Sequence, residues 1–132
     1  GGANAELYLY MGFAENLIGR PYQAELFFVH ALKIDRNLFA AHRELGLLRL
    51  RANDLAGAES SLSQALKGYA AGKDPELYRT LAQTRVRLQL YKEAGATLSA
   101  ILQGSPGDAE AKALQDRVRR ALEMERLYRR IR

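Results

Sequence analysis

The chain lacks cysteine altogether and has only three prolines among its 132 residues. Without cysteine there is no disulfide framework, no cysteine-based metal site and no thiol nucleophile. Cytoplasmic and periplasmic locations are both compatible with this absence, so the compartment stays open. Hydrophobic residues make up 48% of the chain and charged residues 27%. That balance is typical of a folded domain rather than a disordered segment.

Long apolar runs are also missing. No run approaches the roughly 18 residues that a membrane-spanning helix needs, so we expect no transmembrane segment. The first residues, Gly1, Gly2, Ala3 and Asn4, lack the basic and apolar regions of a signal peptide. Because no Met precedes the two glycines, we expect the chain to be a fragment of a larger protein.

Residue patterns typical of catalytic and cofactor sites are absent from the sequence. The only two histidines, His30 and His42, do not stand at the spacing of metal ligands or of a catalytic triad. There is no phosphate-binding glycine loop, and the carboxylates are scattered beside Lys or Arg. We therefore predict that the protein is not an enzyme and has no cofactor and no metal site.

Apolar residues recur at helical spacing along nearly the whole chain, and no stretch shows the alternation of a strand. This predicts an all-α fold of seven helices. Two helix starts have clear capping chemistry: Asp74 precedes Pro75, and Asp108 precedes Ala109. Other breaks are predicted near residues 19–21, 35–37, 53–54 and 90–91.

The sequence repeats itself at a fixed distance. Small residues recur 34 positions apart, and a third copy follows after two extra residues. The matching sets are Gly12, Gly46 and Ala82, then Ala24, Ala58 and Ala94, then Phe28, Leu62 and Leu98. Small residues let the two helices of a hairpin approach closely, while a large one fills the neighbouring gap. Three repeats are predicted, at about residues 5–38, 39–72 and 75–108.

This pattern resembles the tetratricopeptide repeat family. The resemblance is carried by Met11-Gly12, Gly19, Ala24, Phe28 and Ala31-Leu32, by Leu45-Gly46, Asp54, Ala58, Leu62 and Ala65-Leu66, and by Tyr78, Leu81-Ala82, Tyr91, Ala94, Leu98 and Pro106. It departs from the family where Glu15, Arg49 and Arg85 replace a large apolar residue. It implies an α-solenoid of three helical hairpins in one domain.

Residues 109–131 are predicted to form one long capping helix. Its apolar residues, which we expect to pack over the last hairpin, are Leu114, Val118, Leu122, Met124, Tyr128 and Ile131.

The resemblance also implies a function, because the first helix of each hairpin in this family lines a concave groove. The groove residues would be Leu9, Tyr10, Phe13 and Leu17 in the first repeat, Arg43, Leu47, Leu50 and Arg51 in the second, Arg79, Gln83, Val86 and Arg87 in the third, and Arg117 on the last helix. Such a groove is apolar at one end and basic at the other. We expect a protein-interaction scaffold whose partner is a protein with an acidic or mixed apolar and acidic segment.

Groups of this family that grip a carboxy-terminal carboxylate use Lys and Asn in the groove. This sequence has Leu9, Phe13, Glu44, Glu76 and Thr80 there, which disfavours a chaperone-tail clamp. The Leu- and Arg-rich composition looks bacterial, and bacterial members of the family organise secretion, envelope or exopolysaccharide machinery.

Three alternatives remain open. The groove arginines could simply form a solvated face, with Tyr10 and Phe13 packed against a missing preceding repeat or the next molecule. The net charge of +5 lies mostly in residues 109–132, which carry eight Lys and Arg against four Asp and Glu. A nucleic-acid-binding helical-repeat protein could use the pairs Arg119/Arg120 and Arg129/Arg130 there, although no aromatic residues are interleaved for base stacking. The same amphipathic helix could lie on a membrane surface or a partner.

Overall fold

A computed structural model describes residues 3–70 and 73–131 of the chain. Seven α-helices and one short 3₁₀ helix account for the regular structure of these residues. The α-helices are α1 Ala3–Leu17, α2 Pro21–Ile34, α3 Phe39–Arg51, α4 Leu55–Ala65, α5 Pro75–Arg87, α6 Tyr91–Gly104 and α7 Ala109–Ile131, and the 3₁₀ helix is Leu66–Gly68. The predicted all-α class is confirmed, and the chain divides into two compact units, Gly1–Tyr69 and Ala70–Arg132.

The first unit consists of two helical hairpins. Helix α1 packs along α2, α3 packs along α4, and α2 also contacts α3. Contact between α2 and α3 joins the two hairpins into one apolar core. Its buried residues are Leu9, Ala24, Phe28, Ala31, Ala41, Leu45 and Leu48. This unit therefore buries a continuous core that neither hairpin could form alone.

Close approach of the paired helices depends on glycine. A β-carbon at Gly12 would lie 2.6 Å from Cδ1 of Phe28, and one at Gly46 would lie 2.7 Å from Cδ2 of Leu62. Real β-carbons do not approach other atoms this closely, and Phe28 and Leu62 are fully buried. The small and large residues that recur in the sequence therefore meet directly, as the hairpin geometry predicts.

Arginine replaces the expected apolar residue at one position of the second and third hairpins. In each case its guanidinium donates a hydrogen bond to a hydroxyl on the other helix of the hairpin. Arg49 Nη1 donates to the hydroxyl of Ser61 at 2.9 Å, and Arg85 Nη1 donates to the hydroxyl of Thr97 at 2.6 Å. Both hydroxyl residues are buried, at 4% exposure. Each arginine thus ties the two helices of its hairpin together through a polar contact, which keeps a buried hydroxyl paired.

The turn inside each hairpin uses one backbone conformation. Gly19, Asn53 and Gln89 have φ of 83°, 63° and 62°, and they occupy the same position of the three repeats. A residue in the left-handed region reverses the chain after a helix. Glycine adopts this region freely, whereas a side chain there costs free energy. The three repeats therefore share this backbone conformation, although the residue that adopts it is different in each.

Aspartates begin the helices that the sequence predicted. The carboxylate of Asp74 accepts from the backbone N–H of Leu77 at 3.1 Å, and that of Asp108 accepts from Ala111 at 3.0 Å. Both predicted caps are confirmed. Asp54 also caps α4, through the N–H of Gly57 at 3.0 Å. Each cap pairs an amide that the helix itself leaves unpaired.

The second unit places α6 between α5 and α7. Its buried residues are Ala82, Ala94, Leu98, Ile101, Ala111 and Val118. The expected packing of α7 over the hairpin holds only for its first half, where Leu114 and Leu122 join this core. Met124, Tyr128 and Ile131 are 49%, 62% and 79% exposed, so the expectation was wrong for them. The cause is length, since 23 helical residues span about 34 Å and the 14 of α6 only about 21 Å.

We predict opposite effects of alanine at two helical glycines. Gly12→Ala should lower the free energy of unfolding by roughly 1–3 kcal/mol, because its methyl group overlaps the buried Phe28 ring. The matched control is Gly95→Ala, whose β-carbon would meet only Val118 Cγ1 at 3.7 Å. It should stabilise by about 0.5–1 kcal/mol, the helix preference of alanine over glycine. Urea unfolding followed by circular dichroism measures both, and equal effects would contradict the close-approach account.

Candidate partner-binding site

The predicted groove residues of the first unit lie on α1 and α3. Those that reach the surface are Tyr10, Phe13, Leu17, Arg43, Leu47, Leu50 and Arg51, and we name them the α1/α3 face. Arg51 Nη2 approaches Oδ1 of Asn16 at 3.5 Å, so the carboxy-terminal ends of the two helices are neighbours. The repeat places Phe13 and Leu17 of α1 at the same positions as Leu47 and Arg51 of α3.

The α1 side of this face is aromatic and aliphatic. Tyr10 is 63% exposed and Leu17 is 88% exposed. Phe13 is half-buried, since its ring packs edge-on against Phe28 with centroids 5.8 Å apart. Tyr10 and Phe13 lie close to each other, with a centroid distance of 6.2 Å. The half-buried Phe13 ring therefore lies beside Tyr10, and both Tyr10 and Leu17 are largely exposed.

Leu9 does not reach this surface, although the sequence placed it in the groove. It is only 6% exposed and belongs to the core that Ala24 and Phe28 form. Its aliphatic side chain gains more from burial against these residues than the arginines at the equivalent positions, Arg43 and Arg79, would. A partner cannot contact it without disturbing the hairpin.

The α3 side supplies charge as well as apolar surface. Leu47 and Leu50 are half-buried, whereas Arg51 is exposed. Arg43 is bound to its neighbour Glu44, with Nη1 and Oε1 2.8 Å apart. Among the described residues, no carboxylate pairs with Arg51, whose hydrogen-bond partner is the uncharged Asn16. Arg51 is therefore the main source of positive charge on the α1/α3 face.

In the second unit, Arg79 is held by carboxylates. Its guanidinium pairs with Glu76, with Asp108 at 2.5 Å and with Glu110 at 3.0 Å, and its side chain is only 12% exposed. Arg79 thus links the start of α5 to the start of α7 and contributes little net positive charge to the surface. The groove is less basic at this point than the sequence predicted.

Three predicted residues of this unit do come together. Arg79, Gln83 and Arg117 line one cavity of about 210 Å³, and its other lining residues are Glu110, Ala113 and Leu114. Val86 instead packs against the core of the unit, while Arg87 is exposed. The small volume suits a single side chain of a partner rather than a ligand of drug size.

The charge of Asp108 is stabilised where it caps α7. The N–H of Ala111 donates to its carboxylate and is the main reason that the pKa of Asp108 lies below the usual value. Partial burial acts in the opposite direction, and the hydrogen bond from Arg79 lowers the pKa further. One carboxylate therefore begins α7 and holds Arg79 at the same time.

Comparison with known families decides the identity of this fold. The family model described as "Tetratricopeptide repeat" matches residues 49–118, which is just over half of the chain. The chain belongs to the tetratricopeptide repeat family. A search of curated proteins finds no match.

Solved tetratricopeptide repeat domains share the fold at low sequence identity. The second such domain of human RPAP3, solved with the HSP70 peptide SGPTIEEVD, is 16% identical with a TM-score of 0.70, and the match covers 90% of this chain and 98% of that one. The Arabidopsis OM64 domain is 23% identical with a TM-score of 0.69, and the match covers 91% of this chain and 98% of that one. The Yersinia enterocolitica secretion chaperone SycD was solved with a peptide of the translocator YopD. It is 21% identical with a TM-score of 0.60, and the match covers 94% of this chain and 93% of that one.

Two other features, a metal-binding cluster and a membrane-spanning helix, are absent from the described residues. No group of three or more His, Asp or Glu side chains there could hold a metal ion. No helix in the described ranges is long and apolar enough to cross a membrane.

We predict that Asp108→Asn lowers the unfolding midpoint at neutral pH. Asparagine can still cap the helix, but it removes the charge that faces Arg79. Because the folded-state pKa is lowered, this stabilisation is present above the usual value of 3.8 and is lost as the pH falls through the folded-state pKa. The midpoints of variant and wild type should therefore converge in acid.

Thermal unfolding at several pH values measures this convergence. Asp116→Asn is the matched control, since the pair of Asp116 with Arg119 is exposed and should contribute little. A difference between Asp108→Asn and wild type that does not change with pH would contradict the role of the charge.

Proposed function

We propose that this tetratricopeptide repeat chain is a protein-interaction module whose α1/α3 face binds an apolar and acidic segment of a partner protein. The observation that carries the proposal is the position of Arg51 at the end of a face on which Tyr10 and Leu17 are exposed. Exposed aromatic side chains and arginine are the residues that most often dominate protein interfaces. Here they stand on packed helices, so little ordering is needed on binding.

Relatives with the same fold support a peptide as the ligand. The RPAP3 domain was solved with a peptide that ends in EEVD, and SycD was solved with a translocator peptide. The present chain has apolar or acidic residues, Phe13 and Glu44 among them, where family members grip a terminal carboxylate. We therefore propose that it binds an internal segment with carboxylate side chains, rather than a free carboxy terminus.

The proposal extends to the second unit through Arg87 and Arg117, which the sequence also assigned to the groove. Both are exposed and would favour acidic groups on a partner protein. A bacterial secretion, envelope or exopolysaccharide assembly is the proposed setting, and its support is the composition and the resemblance to bacterial members of the family.

Nucleic acid is the competing ligand, because α7 carries most of the positive charge. Several of its arginines are engaged by carboxylates on the same helix: Arg119 with Asp116 at 3.1 Å, and Arg126 with Glu123 at 2.6 Å. These pairs reduce the charge available to phosphates, which favours the protein partner. The two ligands differ in salt response, since binding to nucleic acid weakens steeply as salt releases counterions.

We predict that Arg51→Glu weakens capture of the partner from a nuclease-treated lysate of the source organism. Reversing an exposed interfacial charge should cost about 1 kcal/mol, or roughly fivefold in affinity. Tyr10→Ala should reduce capture further, because an aromatic anchor is lost. The matched control is Lys92→Glu, which makes the same charge change at an exposed position on α6.

Quantitative mass spectrometry of the retained proteins measures these effects. All variants should keep the thermal stability of the wild type, since the replaced side chains are exposed. Retention that Lys92→Glu weakens as much as Arg51→Glu would contradict the proposed face. Retention that disappears after nuclease treatment would instead support nucleic acid.

A further inference from the structure

The first unit has a concave region that lies outside the α1/α3 face. It is a groove of about 710 Å³ between α2 and α4, and α3 forms its floor. Its lining residues are Val29, Leu32, Lys33, Arg36, Asn37, His42, Leu45, Arg49, Ser60, Ser61, Gln64 and Lys67. We name it the α2/α4 groove. The part of α3 that lines it, at positions 42, 45 and 49, is a different side of that helix from the α1/α3 face.

The charge of this groove has one sign. Lys33, Arg36, Arg49 and Lys67 line it, and no Asp or Glu is among its lining residues. Glu25 binds Arg49 from outside the groove, with Nε and Oε1 3.3 Å apart. Within the described ranges, Lys33 and Arg36 are exposed and their side chains have no carboxylate partner. Like charges so placed repel one another, and an anionic ligand would relieve that repulsion.

The other lining groups include polar side chains and an apolar base. His42 Nε2 lies 3.0 Å from the carbonyl oxygen of Arg36, so that nitrogen carries the proton and donates. Lys67 Nζ donates to Oε1 of Gln64 at 2.9 Å, which leaves the amide group of Gln64 as a further donor. Leu32 and Leu45 add aliphatic surface. The groove thus combines donors, cations and a small apolar area.

We infer that the α2/α4 groove is a second binding site, and that its ligand is a short acidic segment of a protein with an aliphatic residue between carboxylates. Val29 to Arg36 on one wall and Ser60 to Lys67 on the other each span seven positions, about 10 Å along a helix. Three residues of an extended peptide cover that length. Carboxylates would meet Lys33, Arg36 and Lys67, and the aliphatic side chain would meet the apolar area.

Chemistry of the lining separates this ligand from nucleic acid. The groove contains no Phe, Tyr or Trp, so it offers no platform for base stacking. The site does not depend on the proposed function, because Tyr10, Leu17 and Arg51 take no part in it. An acidic partner could occupy both sites with different segments.

The test is an NMR titration of the isotope-labelled chain with the peptide acetyl-Ser-Glu-Leu-Asp-Ser-amide. Saturable shifts should appear at the backbone amides of Val29, Leu32, Ser60 and Gln64. Lys33→Glu/Arg36→Glu should weaken binding at least about tenfold, since two contacting charges are reversed. The matched control Lys92→Glu/Lys112→Glu makes the same net charge change at exposed positions elsewhere and should alter affinity at most about twofold.

Further probes distinguish the competing outcomes. The uncharged peptide acetyl-Ser-Gln-Leu-Asn-Ser-amide should not produce shifts in the groove, and Arg51→Glu should leave the shifts that the acidic peptide produces at Val29, Leu32, Ser60 and Gln64 unchanged. Inorganic phosphate that produces the same shifts at the same concentration would overturn the inference in favour of a simple anion site. The absence of saturable shifts in the groove would overturn it as well. Shifts confined to the α1/α3 face would overturn the second site and support the proposed function.

Discussion

Close contact between paired helices fixes the geometry of the two hairpins in the first unit. At Gly12 and Gly46 no side chain separates the helices, and Phe28 and Leu62 occupy the space that results. Because these contacts set the distance between α1 and α2 and between α3 and α4, they also set the positions of the outward-facing side chains. Packing of α1 against α2 and of α3 against α4 therefore determines where the side chains of the α1/α3 face lie.

Polar contacts also hold the paired helices together. Arg49 with Ser61 and Arg85 with Thr97 repeat one hydrogen bond in two hairpins. The left-handed turn residues, Gln89 among them, repeat one backbone conformation in all three hairpins. The hydroxyl that accepts from arginine belongs to Ser61 in one hairpin and to Thr97 in the other, and the turn residue differs in all three. Within this chain, the repeats therefore share backbone conformation and hydrogen bonding even where the residue type differs.

Helix positions and hairpin pairing could be predicted from the sequence, because both depend on local signals. Periodic apolar residues indicate the helices, aspartates such as Asp74 indicate their starts, and the repeated small and large residues indicate which helices pair. The side-chain environment of the candidate site was harder to predict. Leu9 is buried because a neighbouring helix covers it, and Arg79 is engaged by Asp108, 29 positions away. No local pattern encodes such contacts.

The basic α2/α4 groove was missed for the same reason. Lys33 and Arg36 end one helix and Lys67 follows another, and only the packing of the two hairpins brings them to one groove. A signal existed, since Lys33 and Lys67 are 34 residues apart and therefore occupy the same position of successive repeats. In a stacked repeat, equivalent positions become neighbours, so a repeated lysine predicts a basic surface.

The α1/α3 face and the α2/α4 groove both lie in the first unit. The second unit carries more positive charge in sequence, yet much of it is paired with carboxylates, at Arg79 and along α7. Net charge alone would therefore favour the second unit as a binding surface. The proposal of the α1/α3 face rests instead on the exposed apolar side chains beside Arg51.

Photo-crosslinking in the source organism measures whether a partner protein occupies the α1/α3 face. A benzoylphenylalanine replaces Leu17 on the α1/α3 face, and in a second strain it replaces Lys92 on α6. The account predicts that the probe at position 17 crosslinks to one discrete protein, and that the probe at position 92 does not. Crosslinks of equal yield to the same protein from both positions, or none from position 17, would contradict a partner on the α1/α3 face.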